Sequence, residues 1–558
     1  MKNRISPVTC AGLAVASSMA VLLALSGIEG HAQGRGAAEW TTSGFDAQRS
    51  AWLRADARLT KDAVQKNEFA FLWKMKIENT SRQLNSLTAP VLLDRLIGYR
   101  GFKSLAFFGG SDDRIFAVDT DLARPAWTTV LNYSAPTGGR PPSSWACPGG
   151  LTAMPSRRTT LVPAPQAAGG GGRAGVRNGS AVGEAGRGAA VLAQAPPPGR
   201  GGPPGPPATP TPGRGPAPIG FGGVDPLFAI GGDGYLHSLY VSNGAAIEPP
   251  TPFLPPDAKP TALIWVDGVV YTTTAAECGA APSAVWAMDL TKPAGGRKPQ
   301  VWRAGGVIAG SSGLSLGTDG TIYVATGSAT GAATYADSVV ALDRDSLTPR
   351  DWFSAPGAGF NSTPVVIHHE GKDLVAVTAN DGRLYLLDSA ALGGGDHKTA
   401  LVSTTPFTTG GFGTALATFQ DDRGGRWILT TAAGDSGGGR IVAFTVKTVA
   451  GKPSLSQAWQ SADLKAPLAP IVVNGMVFAV SSGEYRAAAT ESPSAAERAQ
   501  KSSPAVLWVL DALDGKPLWN SGNTIASFAR GELSAGGGQV YLVTFDNHLY
   551  AFGIPLEH

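Results

Sequence analysis

The chain repeats itself. An apolar run, a turn built on Asp, Gly or Asn, and a second apolar run ending near Asp recur eight times, often with a Trp a few residues on. The copies open at Leu105 (LAFFGGSDDRIFAVDTDLARPAW), Leu227 (LFAIGGDGYLHSLYVSNG), Val269, Thr321, Leu374, Trp427, Met476 and Val540. The Val, Ile, Tyr and Phe content of each run suits a pleated, half-buried surface. Asp-Gly and Asn-Gly turns join antiparallel neighbours. One such unit cannot bury both its faces, so the copies must pack on one another. Radial packing of small antiparallel sheets gives an all-β, eight-bladed β-propeller over residues 69–555.

The ends predict how the ring closes. The last copy stops at Pro555 without a Trp-bearing strand, and FAFLWKMKI, Phe69 to Ile77, precedes the first full copy without a unit of its own. An N-terminal strand that completes the C-terminal blade removes an open sheet edge. Residues 33–68 lead up to that strand.

Two stretches fall outside the pattern. Residues 155–220 are dominated by Gly, Pro and Ala without aromatics, and such a segment is expected to be a disordered insertion because it buries too little apolar surface. Residues 486–503 form a shorter loop insert in the seventh copy, and their Glu and Ala content permits a helical tip.

The first 32 residues read as a signal peptide: MKNR, an apolar run from Ala11 to Gly27, then Gly-His-Ala. Export to the periplasm or beyond the cell follows, with no membrane span after signal removal. With 43% apolar residues the chain can bury a large core, and a net charge of +3 without basic runs argues against nucleic acid. Of three cysteines, Cys10 leaves with the signal, so Cys147 and Cys278 remain in a compartment that permits disulfides. His368 and His369 read as a solvated pair in a hairpin turn. GDSGG, Gly434 to Gly438, reads as a loop without a triad, and Asn178-Gly-Ser is a glycosylation sequon by pattern.

TIYVAT…ADSVVALDRDSL and LDALDGKPLW resemble the repeats of the PQQ-type (quinoprotein alcohol dehydrogenase-like) β-propeller family. The stretch from Glu39, EWTTSGFDAQRSAWLRADARLTKDAVQKNEFAFLWKMKI, is similar to the approach segment of those proteins. The family holds pyrroloquinoline quinone (PQQ) dehydrogenases and also assembly scaffolds without quinone, so fold alone does not fix function. The resemblance implies that Glu277, in AAECG, is a calcium ligand beside the quinone. Ser328, in ATGS, stands where the enzymes carry an Asn on calcium. The enzymes' catalytic Asp has no counterpart in DWFSAPGAGFNSTPVV, where Asn361 is the nearest polar candidate, so no catalytic residue is assigned. Calcium takes roughly 6–8 oxygen ligands, preferably several carboxylates. The enzymes carry a disulfide of adjacent cysteines beneath the quinone; here Cys147 has no adjacent partner, and Cys278 is the candidate to replace it. The alternative is two inert buried thiols.

Two functions of different class stay open. One is an exported binding or assembly scaffold that holds a protein or small molecule at the propeller channel, with non-catalytic PQQ binding included. The other is a PQQ- and calcium-dependent alcohol dehydrogenase with a degenerate site.

Overall fold

The computed structural model describes residues 39–98, 101–131, 144, 146–161, 225–275, 278–329, 334–409, 415–434, 437–487 and 491–555. The expected signal peptide, the sequon, the centre of GDSGG and most of the low-complexity insert lie outside these residues. Among the described residues no helix is long and apolar enough to cross a membrane.

Eight sheets form eight blades, each antiparallel from its inner strand outward. Blade 1 runs from Val91–Gly98 to Arg124–Val130, blade 3 from Pro260–Val266 to Gln300–Arg303, and blade 5 from Val365–His369 to Val402–Ser403. Blade 8 consists of Ser534–Gly536, Gln539–Val543, His548–Gly553 and, outermost, Ala70–Lys76. The N-terminal strand therefore closes the ring, in the register Ala70 opposite Gly553 and Lys76 opposite His548.

The recurrent Trp explains how blades lock together. The indole of Trp127, on the outer strand of blade 1, donates to the Val241 carbonyl of blade 2 at 3.0 Å. Trp459 of blade 6 donates to Ala512 of blade 7 at 2.9 Å. Each ring lies over a turn glycine of the next blade. A Cβ on Gly244 or Gly515 would stand 2.4 Å from a Trp ring carbon, and both glycines have positive φ, +71° and +72°. The Asp…Gly turn and the Trp of the sequence repeat are thus two halves of one interblade contact.

The boundary expected for the insert is too early. Residues 155–161 are not part of a disordered segment; they are packed. Ser156 exchanges backbone hydrogen bonds with Phe228, at 2.9 and 2.8 Å, and so forms the innermost rung of blade 2. Arg158–Thr159 then runs parallel to Trp265–Val266 of blade 3. The side chain of Arg157 is buried between Glu39 and Asp225. Gly/Pro-rich composition conceals this start because only a few residues are needed for an inner rung. The insert in blade 7 carries a helix, Ala495–Lys501, whose N-cap Ser494 and Glu497 form a reciprocal capping box.

The segment from Trp40 to Asp56 fills the propeller axis. Its residues bond the blades in ring order. Trp40 accepts from Leu92 of blade 1 at 2.7 Å, and Thr41 accepts from Arg157 of blade 2 at 2.9 Å. The Thr42 hydroxyl donates to Leu263 of blade 3 at 2.7 Å. Ala47, Gln48, Ser50 and Ala51 accept from Leu316, Val366, Thr418 and Val472 of blades 4 to 7, at 2.8 to 3.1 Å. Asp56 accepts from Gly538 of blade 8 at 2.9 Å. A polar stretch is stable here because its backbone groups find partners on the inner strands. Its tight path places Phe45, Arg49 and Ala51 at positive φ. Asp46 braces it by accepting from the backbone and hydroxyl of Ser50, at 2.9 and 2.6 Å.

Candidate functional site

At one end of the axis the blades leave a cavity of about 510 Å3. Its walls include residues that precede inner strands, among them Ala89, Met154, Lys259, Ser311, Asn361 and Glu532. Ser43 of the axial segment forms its floor. Ligand sites favour such concave places with a few converging polar groups.

The charged groups decide its chemistry. Lys259 and Arg530 both line the cavity. Burial presses the Lys259 pKa below its ordinary value, and the positive charge of Arg530 pushes in the same direction. Arg530 is held in place: it donates to the Leu84 carbonyl at 2.9 Å and pairs with buried Glu484 at 3.1 Å. Glu484 is shared with Arg498 of the blade 7 helix, at 3.0 Å. Arg486 lies in the same electrostatic neighbourhood and is pressed down by burial, with Arg530 and Arg498 adding to the effect. The cavity's carboxylate, Glu532, accepts from Ser43 at 2.5 Å and Ser311 at 2.7 Å, with the Ser312 hydroxyl at 3.2 Å. Its acceptor sites are therefore engaged with the floor and wall. Arg530 thus has a carboxylate partner in Glu484, whereas Lys259 has no ion pair among the described residues.

Of the residues singled out in the sequence, Asn361 lines the cavity, and its carboxamide bonds Asn380 at 2.9 Å and Thr378 at 2.8 Å. Ser328 does not line it. Its hydroxyl is exposed and donates to Asp337 at 2.9 Å, and Asp337 also accepts from Gly357 and Gly359. Glu277 lies outside the described residues; Ala275, two residues before it, lines the cavity. Cys147 and Cys278 are joined by a disulfide with Cα atoms 5.4 Å apart, tying the approach to blade 2 to blade 3 beside cavity residues Pro148 and Ala275. His368 and His369 are not a solvated turn pair. They end the inner strand of blade 5, and His368 Nδ1 lies 3.0 Å from Asp373.

Sequence reasoning missed Lys259, Arg530 and Glu532. The available signal was positional: each is a charged residue a few places before an inner strand, in DAKPTALIW and RGELSAGG.

The chain matches no protein-family model and no curated protein. Solved structures share its architecture. The quinohemoprotein alcohol dehydrogenase of Comamonas testosteroni aligns at TM-score 0.55 and 12% identity, over 93% of this chain and 81% of that one. A europium-containing methanol dehydrogenase aligns at TM-score 0.52 and 10% identity, over 93% and 98%. BamB of Moraxella catarrhalis aligns at TM-score 0.45 and 11% identity, over 88% and 99%. At these identities the likeness to the two dehydrogenases supports the propeller fold and says nothing about activity.

PQQ with calcium is the cofactor pair that the sequence resemblance implies. The cavity's donor set fits one half of it. Two cations, Lys259 and Arg530, line the cavity, and carboxylates are groups that such cations pair with. Among the described residues no three His, Cys, Asp or Glu side chains are placed to share a metal. Glu532 is committed to serine hydroxyls, and Ser328 is outside the cavity. The described residues therefore suit an organic anion and do not assemble a calcium shell.

Proposed function

We propose that this chain is an exported propeller, periplasmic or secreted, that binds a small polycarboxylate in its axial funnel and does not oxidise alcohols. PQQ is the first candidate ligand. The observation that carries this reading is the pair Lys259 and Arg530, two cations lining one cavity, of which Arg530 is paired with Glu484 and Lys259 has no ion pair among the described residues. In this reading Arg530, fixed by Leu84 and Glu484, offers a rigid fork to a carboxylate. Lys259 supplies a mobile point charge that regains its proton affinity when an anion arrives. Asn361 orients the ligand with its amide. Ser43, Ser311 and Ser312 hold the Glu532 carboxylate by donating to it. The protein then works as a binding module, and the filled or empty funnel is what a partner protein at the axis would read.

A second reading, a PQQ- and calcium-dependent alcohol dehydrogenase, draws support from one observation. Ala275, two residues before Glu277 in the sequence, lines the funnel, and Cys278, one residue after it, is bridged to Cys147. If bound there, the quinone would supply the electron sink for alcohol oxidation. A turnover assay with PQQ, calcium, a primary alcohol and an artificial electron acceptor separates the readings. Binding without turnover is expected. Turnover that disappears in Glu277→Ala would overturn the non-catalytic reading.

A further inference from the structure

At the opposite end of the axis, beyond the C-terminal ends of the inner strands, a second cavity of about 200 Å3 opens. It lies between the tail of the axial segment and blades 4, 5 and 6, and its lining includes Trp52, Arg54, His368, Gln420 and Arg426. Trp52 is the centrepiece. The Arg54 guanidinium stands 4.7 Å from its ring centroid and that of Arg426 stands 6.0 Å away. Two cations are thus gathered around one indole, a geometry that cation–π attraction favours but mutual repulsion opposes.

The acids nearby do not neutralise them. Among the described residues Arg54 pairs with Asp46 alone, at 3.9 Å, and that carboxylate already accepts from the backbone and hydroxyl of Ser50. Asp373 is committed to Thr318 and His368. The Arg426 side chain has neither an ion pair nor a hydrogen bond among the described residues, although it is half-buried. Burial, with the charge of Arg54, presses its pKa down. A half-buried guanidinium normally has a fixed partner, because its donors are costly to leave unpaired. Here a concavity stands in the partner's place.

The geometry points to a second ligand site, in which Arg54 and Arg426 together hold one oxyanionic group, a carboxylate or a phosphoryl, against the edge of Trp52. Both guanidiniums present planar forks that match either group. The site belongs to the axial segment and blade 6, so it is separate from the funnel, which takes its cations from blades 3 and 8. The cavity admits a small molecule or the end of an acidic side chain, not a folded surface.

The test reads the site at Trp52. The full chain is labelled with 5-fluorotryptophan, and the Trp52 resonance among its 13 tryptophans is assigned by its loss in Trp52→Phe. Inorganic phosphate and succinate are titrated separately, each against sodium chloride at matched ionic strength. A saturable shift of that resonance is expected with a dissociation constant on the order of millimolar or tighter. Arg426→Gln is expected to weaken it about tenfold or more, and Arg426→Lys by less, because a charge without a fork remains. A response to phosphate alone assigns a phosphoryl ligand, and a response to succinate alone assigns a carboxylate. No saturable shift with either probe, or a shift unchanged in Arg426→Gln, overturns the proposal.

Discussion

Arg157 donates to Glu39 at 2.6 Å, and its other terminal nitrogen pairs with Asp225, so one buried guanidinium clamps the start of the axial segment to both sides of the low-complexity insert. Only 4% of the Arg157 side chain is exposed, against 24% for Glu39 and 39% for Asp225. Arg157→Met is expected to destabilise the fold by about 2–3 kcal/mol, chiefly through unpaired Glu39, since the more exposed Asp225 is screened by solvent. Deleting residues 165–221 should shift the urea midpoint little, within ~0.5 kcal/mol. Deleting 155–220 removes Ser156 and Arg157 and should cost several times more. Equal effects from the two deletions would contradict the assignment of Ser156 to blade 2.

Gly515 is where the Trp459 ring meets blade 7. In Gly515→Ala the new Cβ would stand 2.4 Å from that ring at a φ of +72°. A loss of about 1–3 kcal/mol is expected from overpacking and the left-handed backbone together. Chemical denaturation of the variant checks it; an unchanged midpoint would mean the Trp does not lock the blades.

The disulfide spans 131 residues of chain. Cys147→Ser together with Cys278→Ser is expected to lower stability by about 2–4 kcal/mol, because the cross-link restricts the unfolded chain. Thermal melts with and without reductant read this directly. A melt indifferent to reductant would show that the bridge closes no loop of consequence.

Alkaline pH should unfold the ring. Burial raises the Tyr271 pKa to about 12, and Tyr323 and Tyr541 are also pushed well up by burial. An unfolded tyrosine releases its proton near pH ~10, so the native state binds more protons above that pH. These groups' contribution is complete below pH ~10 and is lost as pH rises towards ~12, at about 1.4 kcal/mol per pH unit for each. Lys259 has the opposite sign, since its lowered pKa makes the unfolded chain bind more protons, but one lysine does not offset three tyrosines. Tyr271→Phe should show a shallower alkaline fall, followed by tyrosinate absorbance and circular dichroism in parallel.

The blades were legible because their signals are local. An Asp…Gly turn and a Trp are visible within some twenty residues, and Phe69–Ile77 was conspicuous as a strand without a unit. The axial plug was not legible. WTTSGFDAQRSA reads in the sequence only as an approach segment, and its hydrogen bonds to Leu92, Leu263, Val366 and the other inner strands are what make it core. The funnel was half legible. Asn361 and the surroundings of Glu277 followed from motif resemblance, whereas Lys259 and Arg530 come from blades 3 and 8 and meet only when the ring closes.

In the proposed function the funnel is an anion site built on Lys259 and Arg530. The most direct measurement is calorimetric titration of the folded chain with PQQ in the presence of a calcium chelator, repeated with Lys259→Gln and Arg530→Gln. Binding is expected at a micromolar dissociation constant or tighter without calcium, with a loss of about tenfold or more, ~1.4 kcal/mol, in either variant. Affinity should also fall on the alkaline side as Lys259 loses its proton, at a pH below the ordinary lysine value because burial and Arg530 hold its pKa down. No binding by the wild-type chain, binding only when calcium is restored, or affinity indifferent to both substitutions in well-folded variants would contradict it.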